Sequence, residues 1–169
     1  MIIARKDFRD EEYFIPLEIF HKAGLGVVTA GSKTGTAVGV LGGEAEVTLD
    51  LKDAKAADFD ALIFVGGNGA QEYFDNDAAH RLAQDFYNAG KIVGAICIAP
   101  VILANAGVLK GRVATVWSNA LDKTGPKALK QGACAVSGDA VVVSGNVITG
   151  RDRDAAEEFA LVVTREMAK

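Results

Sequence analysis

The sequence of 169 residues contains only two cysteines and two histidines. Cys97 and Cys134 form neither a Cys-x-x-Cys pair nor a disulfide framework, so a reducing, cytoplasmic compartment is expected. His21 and His80 are too few to complete a structural zinc site of known spacing. We therefore expect no metal and no other cofactor.

A basic block and a long apolar run are also missing. The net charge is −4 at pH 7, and its even spread argues against a nucleic-acid partner. The N-terminal segment MIIARKDF has no apolar stretch long enough for a signal peptide, and no apolar run in the chain reaches membrane-spanning length. We therefore expect no membrane partner. Because half of the residues are hydrophobic, we expect one domain over residues 1–169 with a substantial core.

Strand-like and helix-like segments alternate along the chain, joined by short glycine turns. This order predicts an α/β fold in which helices cover both faces of an open, mostly parallel sheet, a three-layer helix-sheet-helix sandwich. The predicted strands are 1–5, 26–30, 59–65, the apolar run before Cys97, and 113–117. Helices are predicted over 13–23, 70–88, from Pro100, and over 154–167, with hairpins in 37–51 and 133–148. Residues 6–12 are predicted to form a charged loop.

The segment KIVGAICIAP (Lys91–Pro100) places Cys97 between a strand and a helix start. Small residues are favoured two positions either side of so sharp a turn, as in the serine elbow G-x-S-x-G, and Ala95 and Ala99 supply them. A sulfur there lies near a helix N-terminus, which favours the thiolate. The alternative is a buried cysteine that only fills space at a strand end.

Ligands of open α/β sheets bind beyond the carboxyl ends of the strands. In this chain that edge would gather the loop 6–12, Gly66–Asn68, Cys97–Ile98, 117–119 and 150–151. Backbone N–H groups of Gly67 and Ile98 would then face the thiol and stabilise a developing oxyanion. The Gly66–Gly67 pair is equally explained as a tight turn.

Five ordered segments resemble the ThiJ/PfpI superfamily, which includes the Parkinson's-disease-associated deglycase and intracellular proteases. They are DEEYFIP (Asp10–Pro16), FDALIFVGG (Phe59–Gly67), AICIAP (Ala95–Pro100), AGVLKGRVAT (Ala106–Thr115) and VITGRDRDAAEEFA (Val147–Ala160). The resemblance runs the full length of the chain. It implies a flavodoxin-like, glutamine amidotransferase-like fold and a homodimer.

The resemblance also implies roles for individual residues. The family nucleophile falls on Cys97, and the glutamate that hydrogen-bonds the thiolate falls on Glu12. A protonated carboxyl there would lower the thiol pKa, whereas a charged one would raise it. The oxyanion donors fall on Gly67 and Ile98, and the pocket residues are Gly66, Asn68, Trp117 and Arg151. For Arg151, an exposed charge in the run RDRD is the alternative.

Two departures from the family pattern concern histidine. Protease-like members carry a histidine directly after the cysteine, where this chain has Ile98. Deglycase-like members carry one at the position of Trp117, which here forms a pocket wall or else belongs to the core or a dimer interface. Without histidine the general base for peptide hydrolysis is missing, so protease activity is not expected.

Three functions remain open. The first is an enzyme in which Cys97 and Glu12 act on small reactive carbonyls, as glyoxalases and deglycases do. The second is a non-catalytic cysteine sensor of oxidative stress, in which Cys97 oxidises to the sulfenic and sulfinic acids. The third is a hydrolase or hydratase with a different small substrate.

Overall fold

The computed structural model describes residues 1–169, which form eleven strands and five α-helices. The strands are β1 (Lys6–Phe8), β2 (Ala30–Gly31), β3 (Gly35–Gly39), β4 (Glu44–Val47), β5 (Leu49–Asp50), β6 (Ala61–Phe64), β7 (Ile92–Ile96), β8 (Val113–Ala114), β9 (Ala135–Val136), β10 (Val141–Ser144) and β11 (Val147–Gly150). The helices are α1 (Asp10–Lys22), α2 (Asp77–Asn88), α3 (Pro100–Asn105), α4 (Thr124–Gln131) and α5 (Ala156–Met167). Short 3₁₀ turns occupy Leu51–Asp53, Ala56–Asp58, Asn68–Tyr73 and Arg153–Ala155.

The central sheet has the order β10-β11-β7-β6, parallel except for the edge strand β10. Ile2 extends it, since this residue bridges in parallel both to Phe64 and to Ala30. Beyond Ile2, β2 pairs in parallel with β5. Buried on both faces, β6 and β7 are almost uniformly apolar, as expected for parallel strands under two helical layers.

Helices cover both faces of this sheet. On one face α1 packs against α5, and Phe20, Ile96 and Phe159 are among the buried residues of that layer. On the other face α2 and α3 pack against β7, with Leu82, Phe86 and Leu103 in the larger core. The predicted three-layer α/β architecture is therefore confirmed. None of the helices combines the length and the apolar character that crossing a bilayer requires.

Several predicted boundaries were wrong. Residues 6–12 are not a charged loop, because Lys6–Phe8 pairs with β3 and α1 already begins at Asp10. The predicted helix 70–88 is a 3₁₀ turn followed by α2, since the Asn76 side chain accepts from Ala79 N and starts a new helix there.

The C-terminal half holds two further differences. Strand β8 ends at Ala114, and helix α4 was not predicted. The hairpin predicted over 133–148 is shorter, and its second strand, β11, lies in the centre of the sheet beside β7. The alternating pattern of β11 is the same at the edge of a sheet and in its centre. The sequence therefore did not show that β11 has a second partner, β7, from a distant segment of the chain.

Asp10 connects α1 to the β3–β4 hairpin, which was predicted within residues 37–51 and is confirmed as an antiparallel pair. Its Oδ2 accepts from Leu41 N and its Oδ1 from Gly43 N, both at 2.8 Å. The carboxylate is buried, and a Cβ on Gly39 or Gly43 would collide with it. These two charge-assisted bonds fix the hairpin tip beside the start of the helix.

Replacing Asp10 by alanine is expected to destabilise the protein by about 2–3 kcal/mol, because two partly buried hydrogen bonds from Leu41 N and Gly43 N lose their acceptor. Asp10→Asn, which keeps one carbonyl oxygen, should cost roughly half as much. Urea denaturation measures the loss, with exposed Asp53→Asn as the control. Equal effects of Asp10→Ala and Asp53→Asn would contradict this role for Asp10.

Candidate active site

Cys97 occupies the turn that leaves β7 and leads into α3. Its φ is +63°, a left-handed conformation that non-glycine residues seldom adopt. The residue is held on both sides, since Cys97 N donates to Gly150 O (2.9 Å) and Cys97 O accepts from Trp117 N (2.8 Å). Ala95 and Ala99 are fully buried, as the predicted turn requires. Strain of this kind clusters at functional sites.

Glu12 reaches the same turn from the first turn of α1. Its side chain is 1% exposed, and its Oε2 accepts from Gly66 N at 3.1 Å. The carboxyl also interacts with the Cys97 thiol, and Oε1 has no partner of standard hydrogen-bond geometry. A buried carboxyl so poorly compensated is costly in its charged form.

Two glycines make this approach possible. A Cβ at Gly66 would lie 2.5 Å from Glu12 Oε2 and 2.6 Å from Cys97 Cβ, so that no side chain fits between them. Gly67 has a φ of +97°, and its backbone N–H, with that of Ile98, acts on the Cys97 thiol to lower its pKa. The glycines therefore bring the carboxyl, the thiol and two N–H donors together.

Burial raises the pKa of Glu12 to about 8, although the bonds from Cys97 and Gly66 oppose the shift. Burial likewise raises the pKa of Cys97, and a charged Glu12 raises it further. The N–H groups of Gly67 and Ile98 lower it. The lowered thiol pKa expected from the helix N-terminus is therefore not found, because burial and the Glu12 carboxylate outweigh the backbone donors.

The sulfur opens onto a cavity of about 420 Å³. Most of its lining is polar or charged, and the residues are Arg9, Glu12, Val40, Gly67, Asn68, Gln71, Phe74, Cys97, Ile98, Trp117, Asp122, Thr124, Asp152, Arg153 and Asp154. A second cavity, about 290 Å³ and mostly apolar, lies elsewhere, between Met1, Phe20 and Met167, with no thiol, hydroxyl or imidazole in its wall. Of these two cavities, only the one at Cys97 contains a thiol in its wall.

Most of the predicted site residues meet in this cavity. Asn68 and Trp117 line its wall, and Gly66 lies buried beneath it against Glu12. Arg151 does not line it, so that prediction was wrong. Its guanidinium turns away to Asp152 Oδ2 (2.9 Å) and Gly138 O (2.9 Å), which satisfy it locally.

The histidines and the second cysteine lie outside the cavity. His21 is exposed near the end of α1, and His80 Nε2 hydrogen-bonds Phe74 O at 2.8 Å. Cys134 is buried and unpaired, as predicted for a small hydrophobic residue. No group of three His, Cys, Asp or Glu side chains is arranged to hold a metal ion.

Sequence reasoning missed Arg9 and the acidic residues of the rim, Asp122, Asp152 and Asp154. Arg9 lies in the segment 6–12, which had been placed at the active edge as a whole. The signal would have been a helix start at Asp10, which places Arg9 three residues before Glu12, but the helix was predicted to begin at residue 13. The sequence alone did not distinguish Arg9 from the neighbouring charged residues as a residue of the cavity.

Comparisons with known proteins identify the family of the chain. The DJ-1/PfpI family model matches residues 1–166. The chain belongs to the DJ-1/PfpI family. It is 41% identical over 172 residues to an uncharacterized protein of Methanocaldococcus jannaschii, an alignment that spans all of this chain and 82% of that protein.

Two further relatives are informative. A deglycase of Pyrococcus abyssi is 31% identical over 151 residues, which span 89% of this chain and 88% of the relative. The crystal structure of a ThiJ/PfpI domain protein from Brachyspira murdochii superposes with a TM-score of 0.93 at 32% identity, covering 99% of this chain and 94% of that one.

The raised pKa of Glu12 predicts a pH-dependent stability. Since the unfolded chain releases this proton near the ordinary value of 4.5 and the folded chain near 8, stability falls as pH rises between these values. Glu12→Gln removes this loss and should be more stable than its parent at pH 9 by on the order of 3–5 kcal/mol. The gain should vanish near pH 4.

Urea denaturation at several pH values measures this effect in a Cys97→Ser background, where the thiol no longer titrates. Glu18→Gln on the exposed side of the same helix serves as the control and should show no such pH dependence. A stability difference between Glu12→Gln and its parent that stays constant from pH 4 to pH 9 would contradict the prediction, because it would show that folding does not raise the pKa of Glu12.

Proposed function

We propose that this protein is a thiol-dependent enzyme that acts on small reactive carbonyl compounds, in the manner of glyoxalases and deglycases. The observation that carries the proposal is the buried Glu12 carboxyl against the Cys97 thiol, at the floor of a polar cavity. Cys97 is the nucleophile, Glu12 the acid–base group, and Gly67 and Ile98 the oxyanion donors. The relative from Pyrococcus abyssi that is named a deglycase supports this assignment.

The position of the proton decides the reactivity of the pair. When Glu12 is charged, its carboxylate opposes ionisation of Cys97. When Glu12 holds the proton, the repulsion is gone, and the carboxyl O–H can donate to the thiolate. Because burial raises the pKa of Glu12 to about 8, the protonated carboxyl is accessible at neutral pH. The pair titrates as a unit, and its reactive form is thiolate with carboxylic acid.

The chemistry of a 2-oxoaldehyde follows from these groups. The thiolate adds to the aldehyde carbon, and the carbonyl electron pair moves to oxygen, which takes the proton from Glu12 to give a hemithioacetal. The Glu12 carboxylate then removes the C–H proton from that carbon to give an enediolate, the hydroxyl proton passes to the neighbouring oxygen, and Glu12 returns its proton to the adjacent carbon. The resulting thioester is hydrolysed by water to a 2-hydroxy acid, and the thiol is regenerated.

This sequence of steps needs no histidine, because Glu12 donates the proton to the carbonyl oxygen, removes the C–H proton and returns it to the adjacent carbon. The hydrogen lost from the aldehyde carbon is gained by its neighbour, so no external oxidant or reductant takes part. Peptide hydrolysis would need a group that protonates a poor amine leaving group. No histidine lines the cavity, and we do not propose protease activity.

The pH dependence of Cys97 alkylation tests the pair. In Glu12→Leu, which removes both charge and donor, the thiol pKa should rise by about 1–2 units relative to the wild type. In Glu12→Gln, which keeps an N–H donor, the rise should be smaller. Each variant carries Cys134→Ser so that only one thiol reacts, and Glu18→Gln is the control.

A fall of the thiol pKa in Glu12→Leu would overturn the proposed proton position, because it would show that a carboxylate faces the thiolate. Methylglyoxal turnover is measured in parallel. It should be abolished in Cys97→Ala and reduced by about 10²–10⁴-fold in Glu12→Leu. Turnover that survives in Cys97→Ala would exclude the thiol mechanism.

A cysteine sensor of oxidation is the second candidate. The specific observation in its favour is that the same groups, a protonated Glu12 and the N–H groups of Gly67 and Ile98, would also hydrogen-bond an oxidised sulfur. Sulfinate formation with peroxide, without methylglyoxal turnover, would identify the sensor.

We further propose that the protein forms a homodimer, as the family resemblance implies. Exposed apolar residues at the tip of the β3–β4 hairpin, Val38, Val40 and Leu41, support this proposal. Leu41→Glu should then shift the protein to a monomer in sedimentation velocity experiments. A wild type that sediments as a monomer would contradict the proposal.

A further inference from the structure

Arg9, which immediately precedes α1, is one of two cations that line the Cys97 cavity. Its backbone N–H donates to Gly66 O at 3.0 Å, so its main chain is fixed to the glycine turn below Glu12. Its side chain is 21% exposed and lines the Cys97 cavity. The charges of Glu12 and Cys97 contribute to raising the pKa of Arg9, after the larger effect of its hydrogen bond to Glu11. Arg9 is therefore electrostatically coupled to the pair.

Glu11 fixes the orientation of this guanidinium. Its Oε2 accepts from Arg9 Nε at 2.8 Å, and its Oε1 accepts from Arg9 Nη2 at 3.0 Å. These two parallel bonds occupy one edge of the planar group. Nη1 makes no hydrogen bond within the chain, so the end-on edge formed by Nη1 and Nη2 retains N–H donors. That edge has the geometry that matches a second carboxylate.

The aspartates in the lining of the same cavity already have partners other than Arg9. Asp152 accepts from Arg151 Nε through Oδ2, and from the N–H groups of Asp154 and Ala155 through Oδ1. Asp122 accepts from Thr124 N. The other cation in the lining, Arg153, is 55% exposed and lies 3.7 Å from Asp154, which is 83% exposed. Among the charged groups, only Arg9 is both half-buried and left with free donors.

From this arrangement we infer that Arg9 is the anion-recognition residue of the Cys97 cavity, and that the preferred substrates are small carbonyl compounds carrying a carboxylate. Arg9 binds the carboxylate through its end-on edge and so places the carbonyl carbon at the sulfur. The substrate class rests on the function proposed above, whereas anion recognition by Arg9 is independent of it. In this role Arg9 takes the place expected of Arg151.

Two alkylating reagents, iodoacetate and iodoacetamide, test anion recognition by Arg9 separately from the substrate class. In both iodoacetate and iodoacetamide the thiolate attacks the CH₂ carbon, the C–S bond forms and iodide leaves. Both require the same thiolate, so the ratio of their rate constants at one pH is independent of the pKa of Cys97. The ratio therefore reports how the cavity treats a carboxylate against a neutral amide, with no need for turnover.

In a Cys134→Ser background, Arg9→Gln should lower the iodoacetate-to-iodoacetamide ratio by about tenfold. Arg9→Lys, which keeps the charge but loses the planar fork, should lower it less. Arg151→Gln makes the same change in net charge outside the cavity and should leave the ratio nearly constant. An unchanged ratio in Arg9→Gln, or an equal fall in Arg151→Gln, would overturn the assignment.

Glu11→Gln provides a test of opposite sign that keeps Arg9 in place. Removing the competing carboxylate should raise the ratio about threefold. This variant also decides the matter if Arg9→Gln does not fold. A ratio that falls or stays constant in Glu11→Gln would contradict anion recognition by Arg9.

The substrate class is tested by comparing 4,5-dioxopentanoate, which carries a carboxylate, with methylglyoxal, which is neutral. The wild type should show the higher kcat/KM for the former, and Arg9→Gln should remove this preference. Equal preference in both proteins would overturn the substrate class. Absence of turnover with either compound, together with the expected alkylation ratios, would refute the proposed enzyme and the substrate class while the role of Arg9 stands.

Discussion

The burial of one carboxyl, that of Glu12, is the constraint on which the rest of the site depends. Its bond from Gly66 N joins α1 to the turn after β6, and its contact with Cys97 joins both to the turn after β7. A charged carboxylate in so dry a position is costly, and its one N–H donor offsets only part of that cost. The proton that burial favours on Glu12 is the proton that the chemistry proposed for Cys97 requires.

A second layer of charge surrounds this pair. Arg9 and Glu11, which flank the start of α1, form a bidentate ion pair beside the cavity. Asp10, between them in sequence, turns the other way and binds the β3–β4 hairpin. The four consecutive charged residues Arg9–Glu12 therefore have three separate roles: the Arg9–Glu11 ion pair, the bonds of Asp10 to the hairpin, and the contact of Glu12 with Gly66 and Cys97. The helix periodicity of about 100° per residue separates their side chains onto different sides of the molecule.

Much of this could be predicted from residues alone. The alternation of segments identified the layered fold, and the small residues around Cys97 identified its turn, which the φ of +63° bears out. The start of α1 was misplaced, because three acidic residues in a row are typical of a solvated loop as well as of a helix N-terminus. Arg151 was misassigned because neighbouring charges in RDRD point in different directions, and only local partners, here Asp152 and Gly138, decide which of them enters the cavity.

The sequence by itself determined the layered α/β architecture and that a cysteine stands at the carboxyl edge of the sheet, because periodicity, glycine turns and side-chain size act over a few residues. Only the tertiary structure decided that Glu12 is buried and protonated more readily than a free carboxyl, and that Arg9, and not Arg151, lines the cavity onto which the sulfur opens. The physical reason is that pKa values and ion pairs depend on burial and on groups brought together from α1, β6 and β7, more than fifty residues apart in the case of Glu12 and Gly66.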